Sequence, residues 1–87
     1  MAAAAYVLIN CEYGFQAEAT NELKKLPGLV EVHAVDGSYD IIAKVKADTV
    51  EKLKETISLR IRNANKITSI LTLIAIEGQH QEDLLPF

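Results

Sequence analysis

The amino-acid sequence predicts an α+β sandwich, with four antiparallel strands carrying two helices on one face. Three observations carry this. Short segments switch between a two-residue and a 3.6-residue hydrophobic period, turn-forming sites separate them, and a strand–helix–strand unit occurs twice with helix stripes of similar length.

The elements follow in order. Residues 6–12 (YVLINCE) form an aliphatic and β-branched run of strand length. After Tyr13-Gly14 the period changes: Phe15, Ala19, Leu23 and Leu26 fall on one helical stripe. Pro27-Gly28 ends that helix, because proline disfavours helix at the residue before it and glycine accepts a left-handed turn. In residues 29–35, Val30, Val32 and Ala34 alternate with Glu31, His33 and Val35. Asp36-Gly37-Ser38 is a hairpin-sized turn, and residues 40–46 then set Ile41, Ala43 and Val45 against Ile42, Lys44 and Lys46. Asp48, with Glu51 three residues on, predicts a helix N-cap of capping-box type. The helix behind it places Val50, Leu53, Ile57, Ile61 and Ala64 on one stripe. Residues 67–77 make the last strand, and residues 78–87 a tail with Leu84, Leu85 and Phe87 as docking anchors. Right-handed crossovers in both strand–helix–strand units give a split βαβ, ferredoxin-like topology.

Two helices cover one face of such a sheet, so the other face is expected to be polar. It is not. The last strand has Thr68, Ile70, Thr72, Ile74 and Ile76 on one side and Ile67, Ser69, Leu71, Leu73 and Ala75 on the other. The first has Val7, Ile9 and Cys11 opposite Tyr6, Leu8 and Asn10. A second copy of the sheet is the simplest cover, which predicts a homodimer packed sheet to sheet.

Eighty-seven residues, 49% apolar and 24% charged, suit one small domain and exclude a large enzyme with a separate cofactor module. A net charge of −3 argues against direct nucleic-acid binding. The single cysteine, Cys11, excludes an internal disulfide and a zinc site of paired cysteines, and no run reaches the roughly 18 apolar residues of a membrane helix. No signal-peptide pattern opens the sequence, so a cytoplasmic protein without metal or cofactor is expected.

Chemistry-bearing residues are sparse. His33 and His80 lie far apart and read as solvated, and Cys11 reads as a small buried hydrophobe. No phosphate loop and no nucleophile with a base is present, so the chain is not expected to be an enzyme. One constellation stands out: V-D-G-S-Y-D, residues 35–40, puts a glycine, a phenol and a carboxylate at a sheet end. Backbone amides near Gly37 can hold a carboxylate and Asp40 can pair with an ammonium group, together suiting a zwitterionic amino acid. The alternative is a plain hairpin turn in which Tyr39 packs and Asp40 caps.

Residues 26–49 (LPGLVEVHAVDGSYDIIAKVKADT) closely resemble the effector-binding domain of Lrp/AsnC, or feast/famine, regulators. The shared pattern is a Pro-Gly helix stop, an alternating strand, a G-x-Y-D turn and an apolar strand before a capped helix. I-S-L-R-I-R at 57–62 and L-T-L-I-A-I at 71–76 continue it. The resemblance implies three parts: a short extension at 1–5, an effector-binding domain at 6–77, and the tail at 78–87. It also implies a dimeric αβ-barrel that assembles into tetramers, octamers or decamers. A small effector, usually an amino acid, binds near dimer–dimer contacts, with Asp36, Gly37, Ser38, Tyr39, Asp40 and Thr72 as ligand-binding residues.

Nothing like the family's helix-turn-helix precedes the first strand, so a stand-alone form acting through full-length Lrp/AsnC regulators is expected. Two departures accompany the match. Asn63-Ala64-Asn65-Lys66 replaces the usual Pro-Gly break, and Ile70 replaces the first of two threonines, leaving Thr72. The rival reading is an oligomeric interaction module that has lost its ligand.

Overall fold

Strand β1 (Ala3–Cys11) alternates buried and half-buried residues along its whole length, the pattern of a strand with one face fully covered and the other partly so. In the computed structural model, which describes residues 2–75, it is paired with β3 (Ile41–Ala47) on one flank and β4 (Ile67–Ile74) on the other. Strand β2 (Leu29–Ala34) completes an antiparallel sheet of order β2-β3-β1-β4. Helices α1 (Gln16–Lys24) and α2 (Val50–Glu55) lie on one face, α1 against β2 and α2 across β1 and β3. The βαββαβ order and the ferredoxin-like sandwich agree with the sequence-based expectation.

Between sheet and helices lies the core. Ala5, Val7 and Ile9 of β1 and Ile41, Ala43 and Val45 of β3 face Leu23 of α1 and Leu53 of α2, all essentially inaccessible to water. Burial of this apolar area, at about 25 cal/mol per Å², is what holds the two layers together.

Several local features depart from expectation, each for a physical reason. Strand β1 begins at Ala3, not at residue 6, because Ala3 and Ala5 pair with Ala47 and Val45 and so join the sheet despite alanine's low strand preference. In β2 the register slips between Leu29 and Glu31. This bulge turns Leu29, opposite Val45, toward the helices and leaves Val30, expected on the inner face, exposed. The cap of α2 is Thr49, not Asp48: its backbone is extended and its Oγ1 accepts from the Lys52 N–H at 3.1 Å. Val50 is exposed, although the stripe placed it inside.

Beyond Glu55 the same helix widens into a π-helical segment, Thr56–Ile61, whose end shows in the Arg62 N–H donating to the Ile57 carbonyl. The buried residues Leu53, Ile57 and Ile61 recur every four positions. In a regular α-helix such a row drifts by about 40° per step. Widening the turn winds it back, which keeps Ile61 in the core.

The Pro27-Gly28 stop works as read. Gly28 has φ +90°, and a Cβ there would lie 3.0 Å from the Lys46 carbonyl, so both conformation and space require glycine. At the other helix end no glycine is present, and Lys66 takes the left-handed conformation itself, φ 72°. Its Nζ sits 4.5 Å from the centroid of the Phe15 ring. Strand β4 is described to Ile74; residues 76 and 77, placed in the last strand, and the tail with His80, Leu84, Leu85 and Phe87 lie outside the described residues.

The sheet's second face carries Tyr6, Leu8, Ile42, Leu71 and Leu73 at its centre, by register. Leu71 is 45% and Leu73 52% exposed. Lys44, opposite Tyr6 and 5.7 Å from its ring centroid, and the Glu31–His33 pair at 3.2 Å border this apolar centre on the β2 side.

The core also contains a single defect among the described residues: Thr20 on α1 is 8% exposed and its Oγ1 has no hydrogen-bond partner. Thr20→Val is expected to raise stability by about 1 kcal/mol, whereas Leu53→Ala is expected to lower it by about 2–5 kcal/mol. Urea denaturation of both variants checks this; a Thr20→Val protein weaker than wild type contradicts it.

Candidate functional site

The β2–β3 connection is built by its backbone. The Val35 N–H donates to the Asp40 carbonyl at 2.9 Å, closing the hairpin. Gly37 has φ +151°, a region that side-chain-bearing residues rarely enter, and a Cβ there would meet nothing within 4 Å. Conformation, not crowding, is therefore what selects glycine at this position.

Asp40 ties the turn to the centre of the sheet. Its N–H donates to the Ile9 carbonyl at 3.0 Å, and its Oδ2 accepts from the Cys11 N–H at 3.0 Å. Both partners sit at the end of β1, at and beyond its last pair with β3, Ile9 opposite Ile41, where the strand ladder no longer supplies the Cys11 amide with a backbone partner. The carboxylate expected to meet a ligand's ammonium thus has a structural partner already, a charge-assisted bond worth about 1.5–3 kcal/mol.

The other turn residues stand differently. Residues 35–39, with Leu8 of β1 and Ile42 of β3, line a shallow depression of about 260 Å³ at this end of the sheet. Leu8 and Ile42 are register partners on the face without helices, so the depression opens on that face. Its wall is almost wholly carbon. Asp36, Ser38 and Tyr39 are the lining residues with polar side chains, and no lysine, arginine or histidine is among them.

Of the six residues singled out from the sequence, four line this depression: Asp36, Gly37, Ser38 and Tyr39. Asp40 lies behind them on the β1 end. Thr72 is elsewhere: it pairs with Val7, and so points to the helix-covered face of an edge strand. One chain does not bring it to the turn. Sequence reasoning missed Leu8 and Ile42, although their alternation put both on the helix-free face; what it lacked was the register that sets them opposite each other.

Cys11 is buried, and its thiol is pushed above the ordinary cysteine value by burial first, then by the charge and hydrogen bond of Asp40, and last by Glu12. It is held as a neutral thiol, not as a nucleophile. No set of three histidine, cysteine or carboxylate groups able to hold a metal gathers among the described residues. No helix among them is long and apolar enough to cross a membrane.

Because the fold holds the Cys11 proton more tightly than the unfolded chain does, the stability this confers is complete below about pH 9 and falls as pH rises above it. Denaturation of wild type and Cys11→Ala across the alkaline range is expected to show the steeper loss in wild type. Parallel pH profiles contradict the assignment.

The comparisons with known proteins point one way. The Lrp/AsnC ligand binding domain matches residues 4–83. The HTH-type transcriptional regulator FL11 of Pyrococcus horikoshii is 27% identical over 82 residues, 94% of this chain and 54% of that protein. A homocitrate synthase of Sulfurisphaera tokodaii is 32% identical over 74 residues, which span 84% of this chain but 16% of the enzyme. Among solved structures, FFRP-DM1 superposes with a TM-score of 0.81 at 34% identity, over 85% of this chain and 99% of that one. The chain spans 40–54% of the length of the transcriptional regulators it matches. Those regulators are not enzymes. The helix-free apolar face, the glycine-dependent turn and the match along nearly all of the sequence lead to one conclusion: this chain belongs to the Lrp/AsnC family, as a regulatory effector-binding domain.

Proposed function

We propose that this domain binds a small effector, of the α-amino acid class, at the β2–β3 turn, and that occupancy changes how copies of it assemble. The observation that carries the reading is the depression itself: Asp36, Gly37, Ser38 and Tyr39 line one concave apolar surface with Leu8 and Ile42 at the sheet's open face. Backbone amides around Gly37 suit a carboxylate, and the Asp36 side chain suits an ammonium group.

The assembly half of the proposal rests on the same face. An apolar strip with Leu71 and Leu73 about half exposed, on a sheet whose other side is already covered, fits a second copy of the sheet. Sheet-to-sheet dimers then associate further, with the turns at the seams. A ligand that binds one assembly better than another shifts the population toward it, by linkage.

The net charge of −3 supports action without direct DNA contact, through mixed assembly with full-length Lrp/AsnC regulators. A related segment within a homocitrate synthase supports the same view, because effector binding, unlike DNA binding, is a role that a regulator and an enzyme can both use. The rival reading, an interaction module without a ligand, draws on Ile70 in the threonine position.

The test is sedimentation velocity and thermal unfolding of the full chain against each of the common amino acids in one buffer. At least one amino acid is expected to change the assembly size or to raise Tm. A complete series that moves neither contradicts the effector reading and favours the interaction module.

A further inference from the structure

The helix layer covers the sheet unevenly. Helix α2 lies across β1 and β3, so the edge strand β4 extends beyond it. Ile70, Thr72 and Ile74 pair with Ile9, Val7 and Ala5 and share their helix-side face. The three β1 residues are inaccessible to water, whereas Ile70 and Thr72 are half-buried and Ile74 is 38% exposed. A strip of edge strand thus lies on the core side of the sheet with no helix over it.

Thr56 shows which flank of the helix stands beside this strip. Its Cγ2 lies 3.8 Å from where a Cβ on Gly28 would be, which turns the row of Lys52, Thr56 and Arg60 toward the α1–β2 connection. On the other side of the buried Leu53, Ile57 and Ile61 runs the row of Val50, Lys54, Ser58 and Arg62, and it faces β4. Val50 is exposed in that row, and neither Lys54 nor Arg62 has an acidic partner among the described residues. Strip and flank form a channel with Ile70 and Ile74 on its floor, Val50 on its side and two cations along its rim. A strip one strand wide and walled by a helix admits a single extended segment, not a second sheet, so the channel is separate from the face proposed to join copies.

A segment of matching character follows directly from the end of β4. Residues 76–87 read IEGQHQEDLLPF, with two adjacent carboxylates ahead of three apolar side chains. A chain that reverses at Gly78 brings residue 82 level with Ile74, and at about 3.3 Å per residue the five residues after it reach back past Ile70. Glu82 and Asp83 then arrive beside Lys54, one turn into α2, while Leu84 and Leu85 come over Thr72 and Ile70. Charge and hydrophobicity therefore match in the same order along both partners. From this we infer that residues 82–87 dock in the channel of their own chain and close the helix side of β4. The inference is independent of the effector reading.

NOE spectroscopy of the full chain with ¹³C-labelled methyl groups tests this. Contacts are expected from Leu84 and Leu85 to Ile70 and Ile74, and they are expected to persist when labelled chains are diluted into unlabelled ones. Lys54→Glu is expected to cause a partial loss of these contacts, and Glu82→Lys in that background to restore them. Leu84→Ser combined with Leu85→Ser is expected to abolish the remaining tail contacts to the channel, including those of Phe87, while NOEs among the buried core methyls are kept. Contacts of the tail to Leu71 and Leu73 instead, contacts that fade on dilution, or no contact at Ile70 and Ile74 each overturn the inference. Contacts indifferent to charge reversal at Lys54 overturn the part assigned to the rim cations.

Discussion

A single sheet with two apolar faces and helices enough for one is the constraint from which the rest of this molecule follows. On the helix side the constraint is met within the chain: Val7, Ile9, Ile41 and Val45 meet Leu23, Leu53 and Ile61, and water is excluded. On the other side Leu71 and Leu73 stand about half exposed beside Leu8 and Ile42. Apolar surface of this kind, continuous across strands, is costly to leave in water and is what subunit contacts are made from. The chain's size sharpens the point. A domain of 87 residues has about 4–13 kcal/mol of net stability to draw on, so a second apolar face covered only by solvent is a large liability.

The turn gains its properties from where that sheet ends. Asp40 bonds to two consecutive odd positions of β1, the Ile9 carbonyl and the Cys11 amide, which fixes the turn to the central strand and not merely to its own hairpin. Asp40 also adds, after burial, to the rise in the Cys11 pKa, so the residue that fixes the turn contributes to the thiol's inertness. With the turn fixed, residues 35–39 project past Leu8 and Ile42 and enclose a concave surface between loop and sheet. The proposed binding surface and the proposed subunit surface are therefore contiguous through Leu8 and Ile42, which gives the proposed coupling of ligand to assembly a physical basis.

Much of this was legible in the sequence where a local rule decided the outcome. The alternation in β3 assigned Ile41, Ala43 and Val45 to the core and Ile42 to the opposite face, and the Pro27-Gly28 stop marked the end of the first helix region. What was illegible depends on partners distant along the chain. The bulge that turns Val30 outward is a property of the β2–β3 register, not of the β2 sequence. Ala3 joins the sheet because Ala47 lies opposite, although alanines carry no strand signal. The π-helical widening answers the position of Ile61 over the sheet, and Thr49 wins the cap over Asp48 through its extended backbone. At the candidate site, residue types and spacing picked out the turn. They could not separate Asp36 from Asp40, because that distinction rests on a bond to Cys11 29 positions away. Nor could they tell that Thr72, set on the edge strand opposite Val7, faces away from the turn within one chain.

The central claim is that the helix-free face meets its counterpart on another copy. Isotope-filtered NOE spectroscopy on a mixture of ¹³C-methyl-labelled and unlabelled chains tests it most directly. The account predicts intermolecular NOEs to the methyls of Leu8, Ile42, Leu71 and Leu73, and none to Leu23 or Leu53, which lie under the helices. A mixed sample with no intermolecular contact at the four open-face residues would contradict it.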